Sequence, residues 1–353
     1  MFSPCSRSPI SRWPSNERGA EKDRVTTLDT PIEIWLIIGR CLGAGIALGF
    51  GGIGAAIGMG LAAGQANEGI MRQPAQQGYM LRTMLIGQAV GGSPSIFALV
   101  IGLLIAFLGV RAPEEIGGNV VCAYIAAGIA IGLGCFGSGW GCGYPAGAAC
   151  DGVARNPRRS SQVISGMVIG QAVAQSPSIF ATVIALIVLF SPQVGTDWAT
   201  MGILLGSGIA IGAGALGPGF GSGQAAGGAV KGLSRWPRSH GLVIRTMLVG
   251  QAVCQTPAIF GLLVAFIMMY ALRDAENTLV WWSRTVAAGI SVGFGGIGPG
   301  LGSGMAASSG CEASAANPRK EAVVLRTMLT GQAVSQSTAI YALIIALVIL
   351  FVV

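Results

Sequence analysis

Four times along this chain the same pattern returns: GQAVGGSPSIF, GQAVAQSPSIF, GQAVCQTPAIF and GQAVSQSTAIY, beginning at Gly87, Gly170, Gly250 and Gly331. Each copy follows a glycine-rich run, GFGGIGAAIGMG, GLGCFGSGWGCG, GAGALGPGFGSG or GFGGIGPGLGSG, and a short basic loop separates run from copy. An internal repeat outranks any single motif in deciding architecture, because every copy must fold alike and bury its apolar face against its neighbours. The repeating unit is a hairpin of two apolar stretches.

Those stretches are long. Eight apolar runs, at 34–66, 79–109, 119–150, 161–190, 199–230, 241–271, 281–311 and 322–353, each meet the length of about 20 residues that a membrane-crossing helix needs. Hydrophobic residues make up 52% of the 353 positions, charged residues 10%, and the mean hydropathy is +0.68, a balance far from that of a soluble domain. The expected fold is an all-α membrane protein of eight transmembrane helices. Four tandem hairpins occupy 34–110, 118–191, 198–272 and 280–353, after a polar N-terminal tail over 1–33. That tail has no apolar core segment, so it does not read as a secretory signal.

Charge is distributed by loop. The loops inside the hairpins carry Arg72, Arg82, Arg155, Arg158, Arg159, Lys231, Arg235, Arg238, Arg245, Arg319, Lys320 and Arg326 against only Glu68, Asp151, Glu312 and Glu321. The connectors between hairpins carry Arg111, Arg273 and Arg284 against Glu114, Glu115, Asp197, Asp274 and Glu276. Such asymmetry predicts cytoplasmic hairpin loops and outer termini, with a bacterial inner membrane as the expected location. The net charge of +7 is therefore a topology signal and points to no nucleic-acid partner. Trp35, Trp198, Trp281 and Trp282 fall at the outer ends of the odd-numbered helices, where indoles anchor at headgroups. Cys122, Cys135, Cys142 and Cys150 lack zinc-ligand spacing and read as small packing residues.

The glycines predict contacts. In the third hairpin Gly219, Gly223 and Gly227 form one stripe, and Gly217 and Gly221 with Ala225 form a second on nearly the opposite side of the helix, since two residues turn it by about 200°. The first hairpin repeats the arrangement with Gly52, Ala56, Gly60 and Gly64 and with Gly54, Gly58, Ala62 and Ala66. Two smooth flanks predict two close neighbours for every glycine helix, as in a ring.

A glycine-patterned first helix, a loop reading Arg-Gln/Asn-Pro and a second helix opening G-Q-A resemble the c subunit of F-type ATP synthases, most closely its sodium-type branch. The likeness runs through all four hairpins. Its loop motif stands here as Arg72, Gln73 and Pro74, as Arg155, Asn156 and Pro157, as Arg235 and Pro237 around a tryptophan, and as Asn317 and Pro318 without the arginine. The resemblance implies that these loops seat a central stalk, that the hairpins join other c-type hairpins in a ring within the lipid bilayer, and that the ring faces a stator a subunit.

The resemblance also implies an ion-carrying glutamate at the positions held here by Gly92, Gln175, Gln255 and Gln336. None is acidic. The 14 acidic residues lie in the first 33 positions, the connectors and the loops, and the only histidine, His240, is in a loop. A carboxyl can pass lipid neutral and ionise where it meets water or an arginine, whereas an amide has no proton to exchange near neutral pH. The neighbouring Ser93, Ser176, Thr256 and Ser337 keep hydroxyls, from which back-bonds to carbonyls four residues earlier are expected, and Thr338 and Tyr341 keep the fourth hairpin nearest to the family pattern. The first-helix positions matching the family's sodium-coordinating glutamine are Met59, Cys142, Ser222 and Ser303. Pro94, Pro177 and Pro257 are expected to kink the second helices. No cofactor or resident metal is implied. The reading is a rotor-ring subunit whose carriers are glutamate-bearing partners; the alternative is a non-translocating structural ring or bundle built from the same hairpins.

Overall fold

A computed structural model describes residues 31–107, 117–191, 195–272 and 276–352. The tail expected over 1–33 lies almost wholly outside the described residues, as do Arg111, Glu114, Glu115, Arg273 and Asp274 of the connectors. Among the described residues eight helices are long and apolar enough to span a bilayer: α1 (Ile34–Arg72), α2 (Pro74–Phe107), α3 (Gly118–Arg155), α4 (Pro157–Phe190), α5 (Trp198–Arg235), α6 (Pro237–Ala271), α7 (Leu279–Ala316) and α8 (Pro318–Phe351). The protein is an integral, multi-pass, all-α membrane protein.

Proline sets the hairpin turns. Gln73, Asn156, Trp236 and Asn317 share one backbone conformation, with φ between −128° and −141° and ψ between 72° and 76°. The following proline excludes the α region for the residue before it, whatever its side chain. That proline then opens a 3₁₀ turn, where its missing N–H costs nothing. Arginine, glutamine, asparagine and tryptophan therefore vary around a turn that does not.

The odd helices form an inner row in the order α1, α3, α5, α7, and the even helices cover one side of it. Glycine brings the row to backbone contact. A Cβ on Gly219 would lie 2.6 Å from the Ser138 nitrogen on α3, and one on Gly221 would collide with the Gly300 carbonyl on α7. The two stripes of α5 thus meet two neighbours, and α5 is the most enclosed of the eight spans. On α1 only the Gly54 and Gly58 stripe is used, against Phe136 and Gly139. Gly52, Gly60 and Gly64 face open space. The row ends there, and at its other end Gly298 of α7 is equally open.

Polar groups tie the row at both ends. On the connector side Asn119 accepts from the Asp197 N–H at 3.1 Å, and Asn277 accepts from the Trp198 N–H at 2.7 Å, capping the start of α5. On the loop side Arg72 bonds Asp151 of the next hairpin at 2.6 Å, Arg235 meets Glu312 at 3.7 Å, and Arg245 pairs with Glu321.

Candidate functional site

The even helices are broken where proline predicts. Regular α-helix stops at Gly91, Ala174 and Cys254 and resumes at Ser93, Ser176 and Thr256. A proline has no N–H to give the carbonyl four residues earlier, so Pro94, Pro177 and Pro257 release the carbonyls of Val90, Val173 and Val253. An orphaned carbonyl inside a membrane must find a donor elsewhere.

The donors are the three glutamines, each from the next hairpin. Gln175 Nε2 donates to the Val90 carbonyl at 2.7 Å, Gln255 Nε2 to Val173 at 2.8 Å and Gln336 Nε2 to Val253 at 3.1 Å. Each bond spans 82 to 85 residues of sequence and joins two hairpins. Proline on one hairpin and glutamine on the next therefore form one device, an amide latch. A carboxylate could not make it, having no proton to donate. A neutral carboxyl could.

The ends of the series lack their halves. Gly92 brings no donor, and none of the described hairpins precedes it. In the last hairpin Thr338 replaces proline, so no carbonyl is freed and α8 runs unbroken as α-helix over Glu321–Phe351.

The surrounding polar groups differ from one interface to the next. Ser93 Oγ lies 2.6 Å from the Val90 carbonyl and 2.8 Å from Gln175 Oε1, and its single proton serves one at a time. Gln175 Nε2 also lies 3.8 Å from Cys142 Sγ. Gln336 Nε2 reaches Ser303 Oγ at 2.8 Å, whereas Ser222 Oγ is buried with no partner among the described residues. The hydroxyls of Ser93, Thr256 and Ser337 bond carbonyls three residues earlier, not four. At 93 and 256 the acceptor is the valine carbonyl that proline frees, whereas Ser337 takes the same step in an unbroken helix. Thr338 and Tyr341 are exposed, on a face that no described hairpin covers.

A second tier of amides was not foreseen from the sequence. Gln171 Nε2 donates to Gly87 of α2 at 2.9 Å and to Cys142 of α3 at 3.0 Å. Gln251 does the same to Gly170 and Ser222, and Gln332 to Gly250 and Ser303. Among the described residues Gln88 has no earlier hairpin to reach and bonds Met59. The unvarying GQA triplet was the signal: a glutamine kept in four apolar helices implies a fixed acceptor.

Chemically these interfaces are neutral and closed. Among the described residues no group of three His, Cys, Asp or Glu could hold a metal ion. The loop arginines Arg72, Arg155 and Arg235 are each about half exposed, and each touches an acid, Arg155 bonding Asp151 at 2.8 Å. They remain open on one side, beside Gln73, Pro74, Asn156, Pro157, Pro237, Asn317 and Pro318 of the same turns.

Comparison with known proteins gives one consistent result. The sequence model of the ATP synthase C subunit family matches at residues 42–105, 125–188, 205–268 and 286–349, once per hairpin. The chain is 45% identical over 73 residues to the ATP synthase c subunit of Alkaliphilus oremlandii, covering 21% of this chain and 82% of that one. It is 49% identical over 72 residues to the ATP synthase c subunit of Natranaerobius thermophilus, covering 20% and 83%. The A-type ATP synthase K subunit of Methanocaldococcus jannaschii aligns over 233 residues at 27% identity, 65% of this chain and 96% of that one.

Proposed function

The chain belongs to the ATP synthase C subunit family, and from that membership we propose that it is a rotor-ring subunit of the membrane sector whose own four hairpins carry no ion. The observation behind this reading is the amide latch. Gln175, Gln255 and Gln336 stand where the family resemblance implies a carboxylate, and each spends its donor on a neighbouring hairpin's carbonyl. A cation held there by neutral groups alone would leave an uncompensated charge in hydrocarbon. Gly92, at the fourth position, offers no ligand at all.

In this reading the ring is completed by other c-type subunits that carry a mid-membrane glutamate, and those move the proton or sodium ion past a stator a subunit. The basic turns lie in the cytoplasm of a bacterial inner membrane, as the charge asymmetry of the loops favours. There Arg72, Arg155 and Arg235 seat the central stalk. The second reading, a structural ring detached from ATP synthesis, draws on the same latches, which suit permanent contact.

Carbodiimide labelling of intact membranes, followed by mass spectrometry of the solubilised complex, separates the two. The expected result is an unlabelled chain isolated together with ATP synthase subunits and a labelled glutamate-bearing c-type partner. Isolation free of those subunits favours the structural ring. A labelled membrane segment in this chain overturns both.

A further inference from the structure

The four hairpins differ on the face of the inner row turned away from the even helices. At its loop end a cleft of about 280 Å³ opens over α5, lined by Tyr144 from α3, by Gln224 and Lys231 from α5 and by Met305, Ser308 and Ser309 from α7, and no even helix contributes to it. Gly227 and Gly228 form its floor. Three departures from the repeat meet there. Lys231 occupies the position that is Glu68, Asp151 and Glu312 in the other hairpins. Those acids pair with Arg72, with Arg72 and Arg155, and with Arg235, while Lys231 has no ion pair among the described residues. Ser308 and Ser309 replace Gly64 and Gln65, Gly147 and Ala148, and Gly227 and Gly228. Neither serine makes the back-bond to a carbonyl four residues earlier that Thr327 and Thr330 make on the neighbouring helix. Gln224 stands where the other hairpins have Leu61, Tyr144 and Met305, and its buried Oε1 has no donor among the described residues.

We propose that this cleft binds a phosphate-bearing anion that itself carries hydroxyl donors. The ammonium of Lys231 is a compact charge suited to phosphate oxygens, and two uncommitted serine hydroxyls add donors beside it. Gln224 Oε1, lying deeper, accepts from a hydroxyl of the bound group. Lys231 sits one turn from Arg235, roughly 6 Å from the helix end. That depth is where a lysine stem lies along apolar surface and its charge meets headgroups. A phospholipid headgroup with free hydroxyls and inorganic phosphate share this chemistry. The equivalent place between α1, α3 and α5 has Asp151 in the lysine's position, its carboxylate bonded to Arg72 and Arg155, and so offers no ammonium to an anion.

The test uses the purified full-length chain in neutral detergent, incubated separately with phosphatidylglycerol, phosphatidylcholine and inorganic phosphate, with retention read by native mass spectrometry. Phosphatidylglycerol is expected to outlast phosphatidylcholine. Lys231→Glu, which restores the acid of the other hairpins, is expected to lower that retention by about tenfold. Arg238→Glu, the same charge change on an exposed turn, leaves retention unchanged. The double variant Ser308→Ala, Ser309→Ala weakens binding with no change in charge and serves if the lysine variant does not fold. Retention of inorganic phosphate alone, lost in Lys231→Glu, assigns the site to a soluble anion. Equal retention by wild type and both variants, or equal losses for Lys231→Glu and Arg238→Glu, overturns the proposal.

Discussion

The amide of Gln255 donates to a single acceptor, and that makes it the cleanest place to measure a latch. Its Nε2 bonds the Val173 carbonyl that Pro177 freed. Gln255→Leu removes the side-chain donor to that carbonyl in an apolar setting, an expected loss of about 1–3 kcal/mol. Pro177→Ala restores an in-helix N–H, so the double variant should recover most of the loss. Unfolding in mixed micelles, followed by circular dichroism, gives the cycle, and equal losses with and without proline would refute the pairing. Both halves of the latch were visible in the sequence, glutamine as a missing carboxylate and proline as a kink. Their partnership was not, because it depends on the register between helices 82 to 85 residues apart, which no local pattern encodes.

Among the helices, legibility was higher. The spans follow from apolar length, the turns from a repeated proline motif and the glycine flanks from a four-residue spacing, all local signals, so sequence alone located them. What periodicity did not reveal is that α1 uses only one flank within the chain. Gly143 and Gly60 occupy equivalent positions, yet a Cβ on Gly143 would sit 2.5 Å from the Gly58 Cα, whereas Gly60 has nothing within 4 Å. Gly143→Leu should force α3 from α1 and destabilise the chain by several kcal/mol, about the upper range for overpacking. Gly60→Leu should leave the isolated chain folded and block its incorporation into a larger assembly. Proteolysis in detergent reports the first and native gels the second. An assembly that forms normally with Gly60→Leu would mean that this flank faces lipid.

For the whole molecule the informative change is Gln336→Glu. A neutral glutamic acid there can still donate to the Val253 carbonyl and lie beside Ser303, and burial favours that neutral form. If the chain turns in a working rotor, this substitution adds one titratable carboxyl per copy, so the ion-to-ATP ratio should rise and the new carboxyl should react with carbodiimide. An unchanged ratio with an unreactive carboxyl, in an assembled complex, would place these hairpins away from the stator. The latches also have a mechanical meaning. Three internal joints are each pinned by an amide, and the first and third are backed by loop ion pairs as well, while the outer edge at Gly92 lacks the donor and the one at Thr338 lacks the freed acceptor. Under torsional load the chain therefore behaves as one stiff sector of four hairpins, and elastic give collects at the seams where it meets its neighbours.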